Sequence, residues 1–225
     1  MILIPVKNLE EAKQRLSAVL SAAERRRLAE AMLEDVLSTL AVGVAGPPVV
    51  VVTSDPGARQ LARRFSFDII EDTINQGESA AIALASEVCG SPNGSGNLVL
   101  PGDIPLLQVS EVERIYAAAP VEGAVLVPSF DGRGTNAVLR RPAGLFPLTF
   151  GGESFPRHLR RARATGRPWV ALQLPGVALD VDTPEDLGRL LAAGGESRAQ
   201  QLLREWKVAE RLLAPPRAGL AGSPR

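Results

Sequence analysis

The stretch Leu98-Val99-Leu100-Pro101-Gly102-Asp103-Ile104-Pro105-Leu106 breaks a short apolar run with Pro-Gly, presents one carboxylate, and stiffens again at a proline. Apolar residues bounded by turn formers read as a buried strand. Gly102 lets the backbone turn tightly or approach a ligand, and Pro105 restricts the exit. Asp103 is thereby delivered at the carboxyl end of a core strand, where open α/β sheets bind their ligands. Taken alone, the stretch reads first as a turn whose aspartate bonds its own backbone, and only second as a site. What surrounds it decides between the two.

Working outward, strands and helices alternate. Ile2 to Val6 reads as a strand, followed by a helix with Leu9, Ala12, Leu16 and Leu20 on one face. That helix gathers Lys7, Lys13 and Arg15 just past a strand end, either as a solvated face or as a clamp for a polyphosphate. Ser21 to Glu24 is a capping box, and Leu28, Met32, Val36 and Leu40 form a buried stripe behind it. Val49 to Thr53 is a β-branched strand. Asp55-Pro56 then has an N-cap and first-position proline, opening a helix to about Phe65. Phe67 to Ile70 is a further strand, and a polar loop from Glu71 to Ser79 enters an Ala-rich helix ending at Cys89.

Beyond Asp103, Ser110 to Glu113 reads as a second capping box, with a helix ending near Ala119. Gly123 to Val127 and Ala137 to Leu139 are strands separated by the Gly-rich loop Ser129 to Asn136. Phe150-Gly151-Gly152-Glu153-Ser154 opens a basic helix. Trp169 to Leu174 and Val177 to Val181 read as strands, the second ending in Asp180-Val181-Asp182 before a helix start at Thr183-Pro184. One amphipathic helix carrying Leu202, Leu203, Trp206, Leu212 and Leu213 precedes a Pro/Gly-rich tail. The alternation favours a three-layer, mostly parallel α/β sheet, with antiparallel pairing added in the strand-rich later half.

Composition narrows the function. Among 225 residues, 25 basic and 25 acidic side chains balance, and only 4% are aromatic, which argues against a nucleic-acid binder. A single cysteine, Cys89, excludes a disulfide framework and a cysteine zinc cluster, and reads as an inert core thiol. No apolar run approaches the roughly 18 residues of a membrane helix. No signal peptide is evident, so a soluble cytoplasmic protein is expected.

Asp180 and Asp182 alternate along one extended segment, about 6–7 Å apart on the same side. If their strand end adjoins that of Asp103, three carboxylates converge and repel. A hard divalent cation relieves this most simply, and an all-oxygen set suits Mg²⁺ or Mn²⁺ rather than zinc. The alternative is that Asp182 merely caps the following helix. A metal facing Lys7, Lys13 and Arg15 is what phosphoryl or nucleotidyl transfer needs, where the protein chiefly positions groups and neutralises charge. No protein nucleophile is required. His158, the single histidine, sits on the basic helix without an evident partner and reads as structural or phosphate-adjacent.

Five stretches in register then resemble one family. They are Pro5-Val6-Lys7-x-Leu9-x-x-Ala12-Lys13-x-Arg15-Leu16, Pro101 to Leu106, Asp131-Gly132-x-Gly134-Thr135-Asn136, Phe150-Gly151-x-x-Ser154-Phe155-x-x-His158-Leu159, and Leu179-Asp180-Val181-Asp182-Thr183-Pro184-Glu185-Asp186-Leu187. Together they are similar to the guanylyltransferase of coenzyme F420 biosynthesis. That family adds GMP from GTP to 2-phospho-L-lactate or phosphoenolpyruvate and releases pyrophosphate.

The resemblance covers residues 1–195 and implies a glycosyltransferase-A-like fold of the nucleotide-diphospho-sugar transferase kind; residues 196–225 lie beyond it and read from their own pattern as a helical extension with a flexible tail. It implies metal binding by Asp103, Asp180 and Asp182. It places the acid's carboxylate at Thr135, Gly151 and Ser154, and the nucleotide beside Lys7, Lys13, Arg15, Gly77, Ser79 and Gly102. Asp103, Lys13 and Arg15 would then carry catalysis, with GTP as co-substrate. Many relatives have Gly-Leu-Asn where this chain has Gly77-Glu78-Ser79. The helix after Gly194 carries no family motif, and its Trp206/Leu stripe either covers the core or serves a homodimer. Rival readings are a cytidylyltransferase for a pterin cofactor, a sugar-nucleotide-dependent glycosyltransferase, and a nucleotide-binding module without turnover.

Overall fold

A computed structural model of the chain describes residues 1–43, 47–72, 77–88 and 96–213. Cys89, most of the expected Gly90–Gly96 loop and the Pro/Gly-rich tail beyond 213 lie outside the described residues. Seven strands form one sheet: β1 (Ile2–Pro5), β2 (Val49–Val52), β3 (Asp68–Ile70), β4 (Asn97–Val99), β5 (Gly123–Pro128), β6 (Thr135–Arg141) and β7 (Trp169–Ala171). Their order is β3-β2-β1-β4-β6-β5-β7. Strands β3, β2, β1 and β4 are mutually parallel, β6 runs antiparallel to both β4 and β5, and β7 is parallel to β5. The mostly parallel mixed sheet expected from the alternation is therefore present. Its central strands are apolar on both faces because both faces are covered.

Helix α1 (Ala22–Gly43) lies along one face with α2 (Pro56–Arg64) and α4 (Val109–Ala117), and α3 (Glu78–Val88) and α5 (Ser154–Ala164) lie along the other. Leu33, Val36, Leu37 and Leu40 of α1 pack on Ile2, Ile4, Val49 and Leu98 of the sheet. Leu28 and Met32 face away from it and meet a further layer formed by α7 (Pro184–Ala192), α8 (Arg198–Glu205) and α9 (Val208–Leu213). Asp35 of α1 accepts hydrogen bonds from the backbone N–H groups of Arg198 (2.8 Å) and Ala199 (3.0 Å), satisfying the open donors at the start of α8. Among the described residues no helix is long and apolar enough to cross a membrane.

Several expected elements differ. The helix after β1 is not regular: residues 9–20 form turns around a short 3₁₀ segment, Gln14–Leu16. Two constraints explain this. The Leu9 N–H is held by Asp55 Oδ2 at 3.0 Å, and Lys13 takes a left-handed backbone (φ 57°) that an α-helix does not accommodate. Leu9, Leu16 and Leu20 are nevertheless buried, as the apolar spacing requires.

The expected strand over 177–181 is instead the short helix α6 (Pro175–Ala178) followed by an extended segment outside the sheet. Gly176 lies so close to Leu106 that a Cβ would stand 2.3 Å from its carbonyl oxygen, and its N–H is taken by Glu111 Oε1 at 2.8 Å. Glu111 also accepts from the Gln108 N–H at 3.1 Å, so α4 is capped two residues earlier than the expected Ser110/Glu113 box. The terminal helix is two helices, broken at Lys207 (φ 52°).

The caps at Ser21/Glu24 and Asp55 form as expected, with Asp55 Oδ1 accepting from the Ala58 N–H at 2.9 Å. Because its other oxygen holds Leu9, Asp55→Ala is expected to lose both bonds. The loss should be about 2 kcal/mol of unfolding free energy, read from urea denaturation.

Candidate active site

The parallel strands β1 and β4 end side by side, and the residues that follow them enclose a cavity of about 550 Å³. Pro5 to Lys7 leaves β1 along one wall, and Pro101-Gly102-Asp103 leaves β4 along another. Gly102 packs tightly, since a Cβ there would press the Leu33 methyl at 3.1 Å. Gly77 (φ 105°) closes the side facing Lys7, where a Cβ would come within 3.8 Å of the Lys7 ammonium.

Lys13 dominates the electrostatics. Its ammonium lies 2.5 Å from Asp103 Oδ2 and 2.8 Å from Asp182 Oδ1, with its side chain only 7% exposed. Burial works against this charge, but the two carboxylates outweigh burial and hold the Lys13 pKa above the ordinary lysine value. Burial likewise opposes the Asp182 charge, and Lys13 overcomes it, holding the Asp182 pKa below its usual range. Asp180 has no such partner. Burial, then the nearby Asp103 charge, pushes its pKa from 3.8 up to about 6.

The convergence supposed for two strand ends is made by other means. The Val181 N–H donates to the Asp103 carbonyl at 3.2 Å, drawing the 180–182 segment against the Asp103 loop. Asn136 Nδ2 donates to Asp180 Oδ1 at 2.9 Å and to the carbonyls of Val177 and Ala178 at 3.0 Å. Asp182 does not cap α7; Thr183 occupies that position, and Asp186 Oδ2 accepts from its N–H at 2.9 Å.

Among the described residues no group of three or more His, Cys, Asp or Glu stands ready to hold a metal ion, and Lys13 occupies the space between Asp103 and Asp182. The donor set still fits a hard cation. All of it is oxygen, and Asp103 Oδ1 is buried with no hydrogen-bond partner among the described residues.

A second group lies where β6 begins. Thr135 and Ser154 are buried, their hydroxyl oxygens 3.3 Å apart, and Thr135 Oγ1 is 3.0 Å from His158 Nδ1. Ser154 is the first residue of α5, whose amino end favours an anion. The chain enters this helix through Gly151 (φ 88°) and Gly152 (φ 52°), a turn suited to glycine. Burial, then Arg161, Arg140 and Arg157, depress the His158 pKa to about 4, so its ring is neutral at ordinary pH.

The sites expected from sequence thus separate. Lys7, Lys13, Gly77, Gly102, Asp103 and Asp182 line the cavity. Asp180 stands behind them on Asn136, while Thr135 and Ser154 form a separate group and Gly151 is an exposed turn residue before α5. Arg15 is exposed and does not line the cavity, although its charge helps to hold the Asp182 pKa down. Ser79 is drawn toward the acid group, its Oγ accepting from the Phe150 N–H at 3.0 Å.

Asn136, His158 and buried Asp72 add to the expected residues, Asp72 as part of the cavity lining. The signal for Asp72 was a carboxylate two residues past β3, the same logic that singled out Asp103. The roles of Asn136 and His158 left no local signal, because their partners are far along the chain.

A mostly parallel sheet with a cavity of basic and acidic side chains at the carboxyl ends of β1 and β4 is the framework of an α/β ligand-binding enzyme. The chain superposes with a TM-score of 0.75 on a solved protein from Desulfovibrio desulfuricans G20 described as a nucleotide-diphospho-sugar transferase, at 19% identity and covering 93% of this chain and 96% of that one. Residues 1–217 match the family described as guanylyl transferase CofC like, and the chain belongs to that family. It is 36% identical over 204 residues to a phosphoenolpyruvate guanylyltransferase of Roseiflexus castenholzii, covering 91% of this chain and 93% of the relative. It is 33% identical over 203 residues to a 2-phospho-L-lactate guanylyltransferase of Methanothermobacter thermautotrophicus, covering 90% and 89%. The protein is a nucleotidyltransferase.

A carboxylate kept ionised at neutral pH against a pKa of about 6 costs folding free energy relative to the unfolded chain, where it ionises freely. Asp180→Asn keeps an oxygen for Asn136 and removes the charge. It is expected to stabilise the ligand-free protein by on the order of 1 kcal/mol in urea denaturation while lowering turnover.

Proposed function

We propose that this chain transfers GMP from GTP to a small phosphorylated carboxylic acid, releasing pyrophosphate. Phosphoenolpyruvate is the favoured acceptor and 2-phospho-L-lactate the next. The observation that carries the reading is the Lys13 ammonium set between Asp103 and Asp182 on the wall of the cavity, beside a hydroxyl-lined group at the amino end of α5. Anionic phosphates suit the first place and a carboxylate the second. The name of the 36% identical relative supports the choice of acid.

In this reading a phosphate oxygen of the acid attacks the α-phosphorus of GTP in line. The new oxygen–phosphorus bond forms as the bond to the bridging oxygen breaks, and the electron pair leaves with pyrophosphate. Lys7 and Lys13 meet the developing negative charge, with Arg15 adding positive field from outside the cavity. The long lysine stem lets the Lys13 ammonium turn from the carboxylates to the phosphates. Thr135, Ser154 and the Gly151 turn orient the acid, so that its phosphate meets the nucleotide. Asp103, Asp180 and Asp182 would hold Mg²⁺ or Mn²⁺, which when bound neutralises phosphate charge and orients the oxygens.

Incubating the full chain with GTP, Mg²⁺ and each acid in turn, then weighing the products, tests the reading. A GMP adduct of phosphoenolpyruvate with stoichiometric pyrophosphate is expected. Preference for CTP over GTP would overturn guanylyl transfer. Asp103→Asn is expected to slow turnover by about a hundredfold or more while the protein stays folded. A wild-type rate in that variant would remove Asp103 from the metal set.

A further inference from the structure

His158 is wholly buried, yet the transfer chemistry above gives it no task. Its two ring nitrogens are both engaged. Nε2 lies 2.9 Å from the Thr149 backbone nitrogen, whose hydrogen points at it. A backbone N–H only donates, so Nε2 must offer its lone pair and carry no proton. The ring is neutral in this setting, with Phe146 and Phe150 against it and Arg140, Arg157 and Arg161 as the charged groups around it. The single ring proton therefore resides on Nδ1, which donates to Thr135 Oγ1 at 3.0 Å.

The count of protons then propagates. Thr135 and Ser154 bring two hydroxyl protons, and the contact between them at 3.3 Å uses one. His158 supplies a proton to Thr135 instead of taking one. Whichever way the inter-hydroxyl bond points, one hydroxyl proton is left over. If Nδ1 were an acceptor, Thr135 would spend its proton inward and the pair would lose that outward donor. A carboxylate, which only accepts, is matched by the first arrangement and not by the second.

We propose that His158 is a positioning residue that sets the hydrogen-bond polarity of the acid group, committing the Thr135/Ser154 pair to donate one proton outward to a carboxylate ligand. This rests on the reading of Thr135 and Ser154 as the acid's carboxylate site. It goes beyond that reading by naming the ring that makes the site a net donor. The direction runs from the Thr149 N–H through the imidazole to Thr135, and outward.

Because the chain holds one histidine, its imidazole signals in nitrogen NMR are unambiguous in an untagged, histidine-labelled full-length protein. The expected spectrum is the neutral form protonated on Nδ1. A ring protonated on Nε2, or on both nitrogens at neutral pH, overturns the proposal whatever reaction the enzyme performs. Addition of phosphoenolpyruvate is expected to shift the Nδ1 signal in wild type and not in Thr135→Val; equal shifts in both overturn it.

In steady-state assays His158→Phe is expected to raise KM for the acid about tenfold or more, with KM for GTP unchanged. His158→Gln, whose amide can both accept from Thr149 and donate to Thr135, is expected to restore most of the loss. An equal effect of His158→Phe in wild type and in Thr135→Val marks a packing role and overturns the proposal. Absence of turnover with every acid would sink the guanylyl-transfer reading while the NMR result still stands or falls by itself.

Discussion

Like charge crowds one place in this molecule. Asp103 and Asp182 meet at one ammonium at the edge of the sheet, and Asp180 lies near enough for their charges to act on it, partly out of water, where like charges repel far more strongly than in bulk solvent. The Lys13 ammonium offsets two of the three. The third is left with a raised pKa and a single amide donor from Asn136. Much of the surrounding architecture serves this arrangement. The left-handed backbone at Lys13 is tolerated because two carboxylates anchor its side chain. The turns from Leu9 to Leu20 replace a helix because Asp55 pins the start and the left-handed Lys13 interrupts the segment within.

The single antiparallel strand explains how two subsites meet. Parallel strands β1 and β4 deliver residues at their carboxyl ends, as expected of an open α/β sheet. Strand β6 runs the opposite way beside β4, with Val99 opposite Val138. Its first residues, Thr135 and Asn136, therefore lie at the edge where β4 finishes. Neighbouring positions on a strand face opposite ways. Asn136 reaches Asp180 on one side, and Thr135 reaches His158 and Ser154 on the other. One strand start thus ties the carboxylate site to the acid group.

The outer helices also bear on the site. Helix α1 is buried on both flanks, against the sheet and against α7 to α9, so it holds the apolar floor of the cavity in place through Met32 and Leu33. Arg27 lies over the Trp206 ring at 5.5 Å, and Leu203 and Val208 are buried beneath the same layer. Leu203 of the terminal stripe therefore covers the core, with Trp206 and Leu212 partly buried against it, while Leu213 is exposed. Asp35, a carboxylate on a buried helix, serves there as the partner of the α8 backbone.

Local sequence by itself determined the alternation of strands and helices, the caps at Ser21 and Asp55, the burial of the apolar stripes, and the delivery of Asp103 past a core strand. These follow from periodicity, turn formers and side-chain donors acting within a few residues of one another. Tertiary structure alone decided that residues 175–182 would form a short helix and an extended segment outside the sheet. The deciding contacts come from Glu111, Leu106 and Asn136, between about 40 and 70 positions away. It also decided that Lys13 would sit between Asp103 and Asp182, and that the lone histidine would find Thr149 and Thr135. Hydrogen-bond polarity and charge pairing depend on distances in space, and spacing along a chain carries no record of which distant group will supply the partner.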